Sequence, residues 1–281
     1  MPICTPPTLL SHAVHMGLAP LDARVLVAHA LGVPRIWLIT HRDDALSPVQ
    51  CDAAHAVIAR RAAGEPVAYI TGQREFYGLM LQVSPAVLIP RPETEWLVEF
   101  AATHAPTGGQ VADIGCGSGA IAVALAHKRP DLHVFATDIS LEALEVARAN
   151  AHQHGVDARV HFACGDLYAP LEAAQFDVIV SNPPYIAADD AHLRQGDLRF
   201  EPQTALTDCA DGLQLLRRLA HGASARLNPG GWLALEHGFD QGQAVATLLT
   251  QAGLENVATH TDLSAQPRNT VAQNALARSS G

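Results

Sequence analysis

Asp113-Ile114-Gly115-Cys116-Gly117-Ser118-Gly119-Ala120 stands between two apolar patterns of different period. A short run, Val111 to Ile114, reads as a strand entering it, and Gly115 to His127 reads as a glycine turn followed by a helix. Glycines at such a junction permit a tight turn and let a ligand approach backbone amides at a helix N-terminus. The chain beyond Pro92 repeats the alternation. Helical runs at Glu93 to Ala102, Leu141 to His152, Leu213 to Leu227 and Gln241 to Ala252 are interleaved with strands at His133 to Thr137, Arg159 to Cys164, Phe176 to Ser181 and Trp232 to Glu236. This predicts an α/β domain: a mostly parallel sheet covered on both faces.

The first quarter of the chain has a different character. Leu9 to Met16 and Leu21 to Leu31 carry apolar residues at helical spacing. Val49 to Ala63 is marked at both ends, by Ser47 as N-cap with Pro48 at the first helical position and by Gly64 as terminator. From Val67 to Leu88 apolar residues broken by Gly72, Gly78 and Pro85 suit a hairpin or extended linker. Charge changes at the same place. Residues 1 to 75 hold six basic and six acidic side chains, so the whole of the net charge of -10 lies in the remainder. The expected division is a small helical bundle over 1–75, a linker or β-hairpin over 76–92, and the α/β domain over 93–281, with Ala277 to Gly281 frayed.

The balance of 18 basic against 28 acidic residues offers no general attraction to nucleic acid phosphates. Nothing approaches the ~20 uninterrupted apolar residues of a membrane helix, and Met1-Pro2-Ile3-Cys4-Thr5 lacks the features of a signal peptide, so no membrane association and a cytoplasmic location are expected. Cys4, Cys51, Cys116, Cys164 and Cys209 form no CxxC pair and read as reduced thiols. The 15 histidines show no ligand spacing, and no metal is expected.

The glycine turn suits a nucleotide-like ligand. Gly115, Gly117 and Ala120 also satisfy the G-x-G-x-x-G/A pattern of dinucleotide enzymes, and Asp138, 23 residues beyond Gly115, lies at a strand end where a ribose-binding acid belongs. Asp138 is equally placed to cap the helix that follows. Asn182-Pro183-Pro184-Tyr185 directly follows the strand Phe176 to Ser181, at the sheet edge where open α/β folds bind ligands. Its prolines stiffen the loop and remove two amide donors. The Asn182 side-chain oxygen and the Pro183 carbonyl remain as acceptors beside an aromatic ring, an arrangement suited to a planar NH2 group.

Together with Asp138 and Gly165-Asp166-Leu167-Tyr168, these segments resemble the motifs of seven-stranded, Rossmann-like S-adenosylmethionine-dependent methyltransferases acting on planar amino groups. The Asn-Pro-Pro-Tyr element is shared with adenine amino methyltransferases of DNA and RNA. Leu88-Ile89-Pro90-Arg91-Pro92-Glu93-Thr94-Glu95, with Tyr69-Ile70-Thr71-Gly72 upstream and a helical N-terminal domain, resembles bacterial peptide chain release factor glutamine methyltransferases over essentially the whole chain. A ribosomal protein glutamine methyltransferase usually carries a Pro-Arg-Ser-Pro type of segment there.

The resemblance implies that Gly115, Cys116, Gly117, Ser118 and Gly119 wrap the methionine portion of S-adenosylmethionine, that Asp138 accepts the ribose hydroxyls, and that Asp166 and Leu167 hold the adenine. It implies that Asn182, Pro183, Pro184 and Tyr185 bind the acceptor amide, and that the partner is a class I release factor whose Gly-Gly-Gln loop enters the pocket while its body meets the helical domain. It assigns no oligomeric state. Asp113 either offsets the cofactor's positive charge or binds turn amides. Arg91, Glu93 and Glu95 also suit a helix start without any substrate. The sequence departs from the family at Leu167, commonly aromatic, and at Phe200, commonly tyrosine; the latter leaves no hydroxyl for chemistry.

Overall fold

The computed structural model describes residues 4–171 and 174–276; the expected fraying of 277–281 lies outside them. The chain divides into two compact units, one comprising residues up to Gln73 together with Gln195–Phe200, the other Arg74–Arg194 and the chain from Glu201.

The first unit is helical: α1 (Pro6–His15), α2 (Pro20–Leu31), α3 (Trp37–Thr40), α4 (Pro48–Ala62) and α5 (Val67–Thr71). Leu9, Leu26, Val27, Leu38, Ala54, Ile58 and Ile70 form its core. Ser47 caps α4 by accepting from the Gln50 amide, and Gln50 returns to the Ser47 amide, which satisfies donors that the first helical turn leaves orphaned. Arg61 on α4 pairs with Asp22 at 3.0 Å and with Asp197 at 2.9 Å, so the segment Gln195–Phe200 is tied to a helix distant in sequence.

Two expectations fail in this unit, and one short helix has no counterpart among them. Val67–Thr71 is helical rather than extended: Pro66 precedes the turn, Gly72 closes it in the left-handed conformation, and burial of Ala68, Tyr69 and Ile70 overrides the β-like composition. Trp37–Thr40 was not read as a helix, being a single turn without a side-chain cap. Cys4 and Cys51, expected as reduced thiols, form a disulfide; they lie 47 positions apart, and only the packing of the chain start against α4 brings them together.

The second unit opens with a hairpin, β1 (Gln73–Phe76) and β2 (Leu79–Gln82), whose two-residue turn puts Tyr77 and Gly78 at positive φ as strand twist requires. A single 3-10 turn, Pro92–Thr94, then leads into α6 (Glu95–His104). The alternating part follows as β3 (Gln110–Ile114), α7 (Ala120–Lys128), β4 (His133–Asp138), α8 (Leu141–Gln153), β5 (Val160–Cys164), β6 (Phe176–Ser181), α9 (Gln214–Ala223), β7 (Leu227–Glu236), α10 (Gly242–Gln251), β8 (Glu255–Thr261) and β9 (Pro267–Gln273).

The seven strands β3–β9 form one sheet in the order β5-β4-β3-β6-β7-β9-β8. The pairs from β5 to β7 are parallel, whereas β9 runs antiparallel to both β7 and β8. Side chains of α6, α7 and α8 belong to one apolar core, with Ala122 through Ala126 wholly buried. Those of α9 and α10 belong to a second. The β8–β9 pair is absent from the sequence reading because β8 is mostly exposed and β9 begins at a proline, which blurs both the apolar signal and the strand start. From β3 the chain proceeds to β4 on one side and later reaches β6 on the other. The strand order therefore reverses between β3 and β6, where open α/β sheets leave a crevice at the carboxyl ends of their strands.

Candidate active site

The glycine turn occupies that crevice. The amides of Gly115 and Cys116 both donate to the Thr137 carbonyl, at 2.8 and 2.9 Å, and the Gly119 amide donates to the Cys116 carbonyl. Gly115 and Gly117 adopt left-handed φ values of 75° and 54°. A Cβ at either would meet no neighbouring atom within 4 Å, so both backbones stand open. Gly119 instead allows α7 to approach α8, because a Cβ there would lie 3.0 Å from that of Ala147. Asn150, wholly buried, donates to the Ser118 carbonyl and braces the turn from behind.

Asp113 lies beneath this turn, 1% exposed, and its Oδ2 accepts from the Ala122 amide. Burial pushes its carboxyl up to about 7; the Ala122 amide opposes the shift and the charge of Asp138 adds to it. Asp113 does not reach the cavity described below, and its contact is with backbone at the start of α7.

At the end of β4, Asp138 accepts from the Gly117 amide through Oδ2 at 2.8 Å and from the Ser140 amide through Oδ1 at 2.9 Å. The N-cap of α8 is Ser140, whose hydroxyl accepts from Ala143. Asp138 therefore holds the glycine turn against its own loop rather than capping the helix. A carboxylate oxygen can accept more than one hydrogen bond, so each retains capacity for a ligand.

After β5, Asp166 forms an ion pair with Arg218 of α9 at 2.5 Å, both side chains half-exposed. Leu167 takes a left-handed φ of 50°, and its carbonyl accepts from the Thr137 hydroxyl at 3.0 Å. The side chain is partly buried on the second core.

Across the crevice, β6 ends at Ser181, whose hydroxyl donates to the Ile114 carbonyl at 2.6 Å and so pins this strand end to the start of the glycine turn. Asn182 donates through Nδ2 to the Thr94 hydroxyl at 3.0 Å. One cavity of about 410 Å3 is lined by Gly115–Ser118, Asp138, Asp166, Leu167, Asn182, Pro183 and Pro184, and also by Thr94, Arg91 and Arg218. Two predicted site residues stand apart from it. Gly119 begins α7. Tyr185 packs its ring on the second core, and its hydroxyl engages Arg268; burial first, then the charge of Glu236, pushes this phenol up to about 12.

Phe200 falls in the helical unit, whereas its neighbour Glu201 is buried in the other, accepting from the Ile89 amide at 3.2 Å and pairing with Arg91 at 2.5 Å. Glu95 accepts from the Tyr77 amide, locking the hairpin turn to the start of α6. Thr94, Arg218, Glu201 and the buried Glu236 were not singled out as site residues by the sequence. Thr94 lay inside the Leu88–Glu95 segment; the others pair across 50 or more positions and leave no local signal.

Family models match on both sides of the unit boundary: the PrmC N-terminal domain over residues 9–72 and the methyltransferase small domain over 92–197. A release factor glutamine methyltransferase of Xylella fastidiosa is 51% identical over 267 residues, covering 94% of this chain and 97% of the other. The chain belongs to the release factor glutamine methyltransferase family. Another member, from Bordetella pertussis, is 52% identical over 88% of this chain and 92% of its own. A methyltransferase structure from Pyrococcus furiosus shares the fold, with TM-score 0.55 at 21% identity over 78% of this chain and 98% of that one.

Membership in this methyltransferase family implies S-adenosylmethionine as methyl donor, and the cavity fits it. The open backbones of Gly115 and Gly117 admit close approach, the Asp138 carboxylate has acceptor capacity for hydroxyls, and apolar Leu167 lies beside polar Asp166 in the same lining. Among the described residues no group of three or more His, Cys, Asp or Glu is placed to hold a metal ion, and no helix is long and apolar enough to cross a membrane.

Proposed function

We propose that this chain transfers a methyl group from S-adenosylmethionine to the side-chain amide nitrogen of the glutamine in the Gly-Gly-Gln loop of class I peptide chain release factors. The observation that carries the reading is a single cavity lined by Gly115–Ser118 and Asp138 together with Asn182, Pro183 and Pro184. In this reading Asp138 accepts the ribose hydroxyls, Asp166 and Leu167 bind the adenine, and the glycine turn receives the methionine portion. Bound there, S-adenosylmethionine supplies an electrophilic methyl carbon on a positively charged sulfur.

The acceptor is a weak nucleophile, because the amide nitrogen lone pair is delocalised into the carbonyl. Asn182 Oδ1 and the Pro183 carbonyl accept hydrogen bonds from its two N–H groups and aim the nitrogen at the methyl carbon. As positive charge develops on nitrogen, both acceptors bind its protons more strongly, which lowers the barrier selectively in the transition state. The donor would supply the methyl group and leave as a neutral thioether, and the amide proton that the methyl replaces would pass to solvent. Pro183 and Pro184 hold the loop rigid, and Tyr185 fixes its exit by packing away from the cavity.

The acceptor loop suits any small planar amino group, so discrimination rests on surfaces outside it. The helical N-terminal domain expected over 1–75 is the proposed contact for the body of the release factor, followed in the chain by the linker 76–92 and the catalytic domain 93–281. The test is transfer of radiolabelled methyl to purified release factor beside a factor whose Gly-Gly-Gln glutamine is alanine. Label only on the intact factor supports the reading; label on ribosomal protein or nucleic acid instead moves the substrate assignment to those classes.

A further inference from the structure

Asn182 has a side chain whose usefulness depends on which way round it stands. With the oxygen toward the cavity it accepts an amide proton; turned by 180° it presents a second NH2 to the substrate's own NH2. The two orientations are nearly equal in shape, so packing alone does not choose between them.

The choice is made at Thr94, beside the loop on the cavity wall. Asn182 Nδ2 donates to Thr94 Oγ1 at 3.0 Å. Thr94 is 5% exposed and ends the 3-10 turn Pro92–Thr94, with its amide bonded to the Arg91 carbonyl at 3.1 Å. Thr94 also stands beside Glu236, which is 1% exposed at the end of β7, and its hydroxyl favours the charged form of that carboxylate. β6 and β7 are paired in parallel register with Ser181 opposite Leu235, so Asn182 and Glu236 are the next residues on adjacent strands. A hydroxyl has one hydrogen. If Thr94 donates it to Glu236, Thr94 can only accept from Asn182, and an acceptor at that point admits only the NH2 end of the amide.

We propose that Thr94 and Glu236 are positioning residues that set the polarity of the Asn182 amide, turning its oxygen toward the substrate nitrogen. Neither needs to touch the reacting atoms. The inference rests on the reading above in which Asn182 Oδ1 accepts the acceptor amide. Arg268 and Arg91 favour the charged form of Glu236, Glu93 opposes it, Tyr185 carries its phenol nearby, and burial raises its carboxyl to about 7. Its second oxygen, Oε2, finds no hydrogen-bond partner among the described residues, so a proton there still leaves the other oxygen to accept from Thr94.

The experiment measures kcat and KM for release factor, together with S-adenosylmethionine affinity by calorimetry, in Thr94→Val, Thr94→Ser and Glu236→Met. Valine keeps the shape of threonine and removes the hydroxyl, and methionine removes a buried carboxylate without adding charge. Thr94→Val should lower kcat about ten- to hundredfold, the size of one hydrogen bond with a charged partner in the chain, with cofactor affinity and KM little changed. Thr94→Ser should recover most of that loss. Glu236→Met should reduce kcat similarly, and the double variant should be no slower than the slower single, because both act through one amide.

Three results would overturn the inference: full kcat in Thr94→Val, equal damage from serine and valine, or loss of cofactor binding in step with kcat. Asn182→Ala run alongside separates the two levels. If wild type methylates the factor and Asn182→Ala does not while Thr94→Val does, the positioning chain is wrong and the acceptor loop stands. If Asn182→Ala is fully active, the reading of the loop itself fails.

Discussion

Replacing Asp138 by asparagine tests the donor end of the cavity with almost no change in shape. The carboxylate now spends one bond on Gly117 and one on Ser140. Asparagine retains a single oxygen, so one of those two amides would face an NH2 group and lose its acceptor, at a cost of about 1–3 kcal/mol to the folded protein without ligand. The ligand term is separate. Two ribose hydroxyls donating to a charged carboxylate contribute about 1.5 kcal/mol each at the lower end of the range for charged partners; asparagine keeps one acceptor oxygen, so the loss runs from one such bond, about 1.5 kcal/mol and a roughly tenfold rise in Kd, to both, about 3 kcal/mol and a roughly hundredfold rise. Calorimetric titration with S-adenosylmethionine measures the second quantity, and denaturant unfolding of the same preparation measures the first. Ser140→Ala is the contrasting variant: it removes the α8 cap bond to Ala143, costs about 1 kcal/mol of stability and should leave Kd within about threefold. A folded Asp138→Asn protein that binds S-adenosylmethionine as tightly as wild type would refute the ribose assignment.

Asn182→Ala should slow methyl transfer by about 2.7–4 kcal/mol in the barrier, read as kcat at saturating factor and donor; undiminished kcat would contradict an acceptor role. Asp113, whose carboxyl is raised from 3.8 to about 7, contributes stability that is fully present below the unfolded value and is lost as pH rises to about 7. Asp113→Asn should therefore flatten the decline in unfolding free energy between pH 4 and 7, and an unchanged slope would show that other groups set it. Ser47→Ala should cost about 1 kcal/mol in denaturant unfolding through loss of the α4 capping box; no shift in midpoint would mean that the box is not formed in solution. Thiol titration of the unfolded, unreduced chain should return Cys116, Cys164 and Cys209 as reactive and leave Cys4 and Cys51 silent, whereas five reactive thiols would remove the disulfide.

The catalytic half was legible because its strongest signals are local. A strand too short to be anything else, Val111 to Ile114, runs into glycines that only a tight turn uses, and the same logic marks Phe176–Ser181 before Asn182. Hydrophobic period placed α8 and α10 to within a residue or two. Signals failed where tertiary packing overrode local preference, as in Val67–Thr71, and where exposure erased alternation, as in β8. Site residues divided along the same line. Asp138 and Asn182 announce themselves by following strands, but whether Asp138 capped a helix was undecidable until Ser140 was seen in that role. Thr94 matters through its contact with a residue 88 positions away, and Glu236 ends an unremarkable strand. Partners set by the order of strands in a sheet have no trace in spacing along the chain.

Leu167 illustrates how such a site constrains its own future. Its backbone sits where a side chain costs on the order of 1–2 kcal/mol, and glycine would relieve that at once. Glycine would also erase the apolar surface facing the cavity. Backbone strain and the apolar cavity lining thus pull this one position in opposite directions, while the Thr137 hydroxyl holds its carbonyl in place. Under the proposed adenine role, donor selectivity should change most readily by exchanging one side chain for another at 167 while Thr137 is kept.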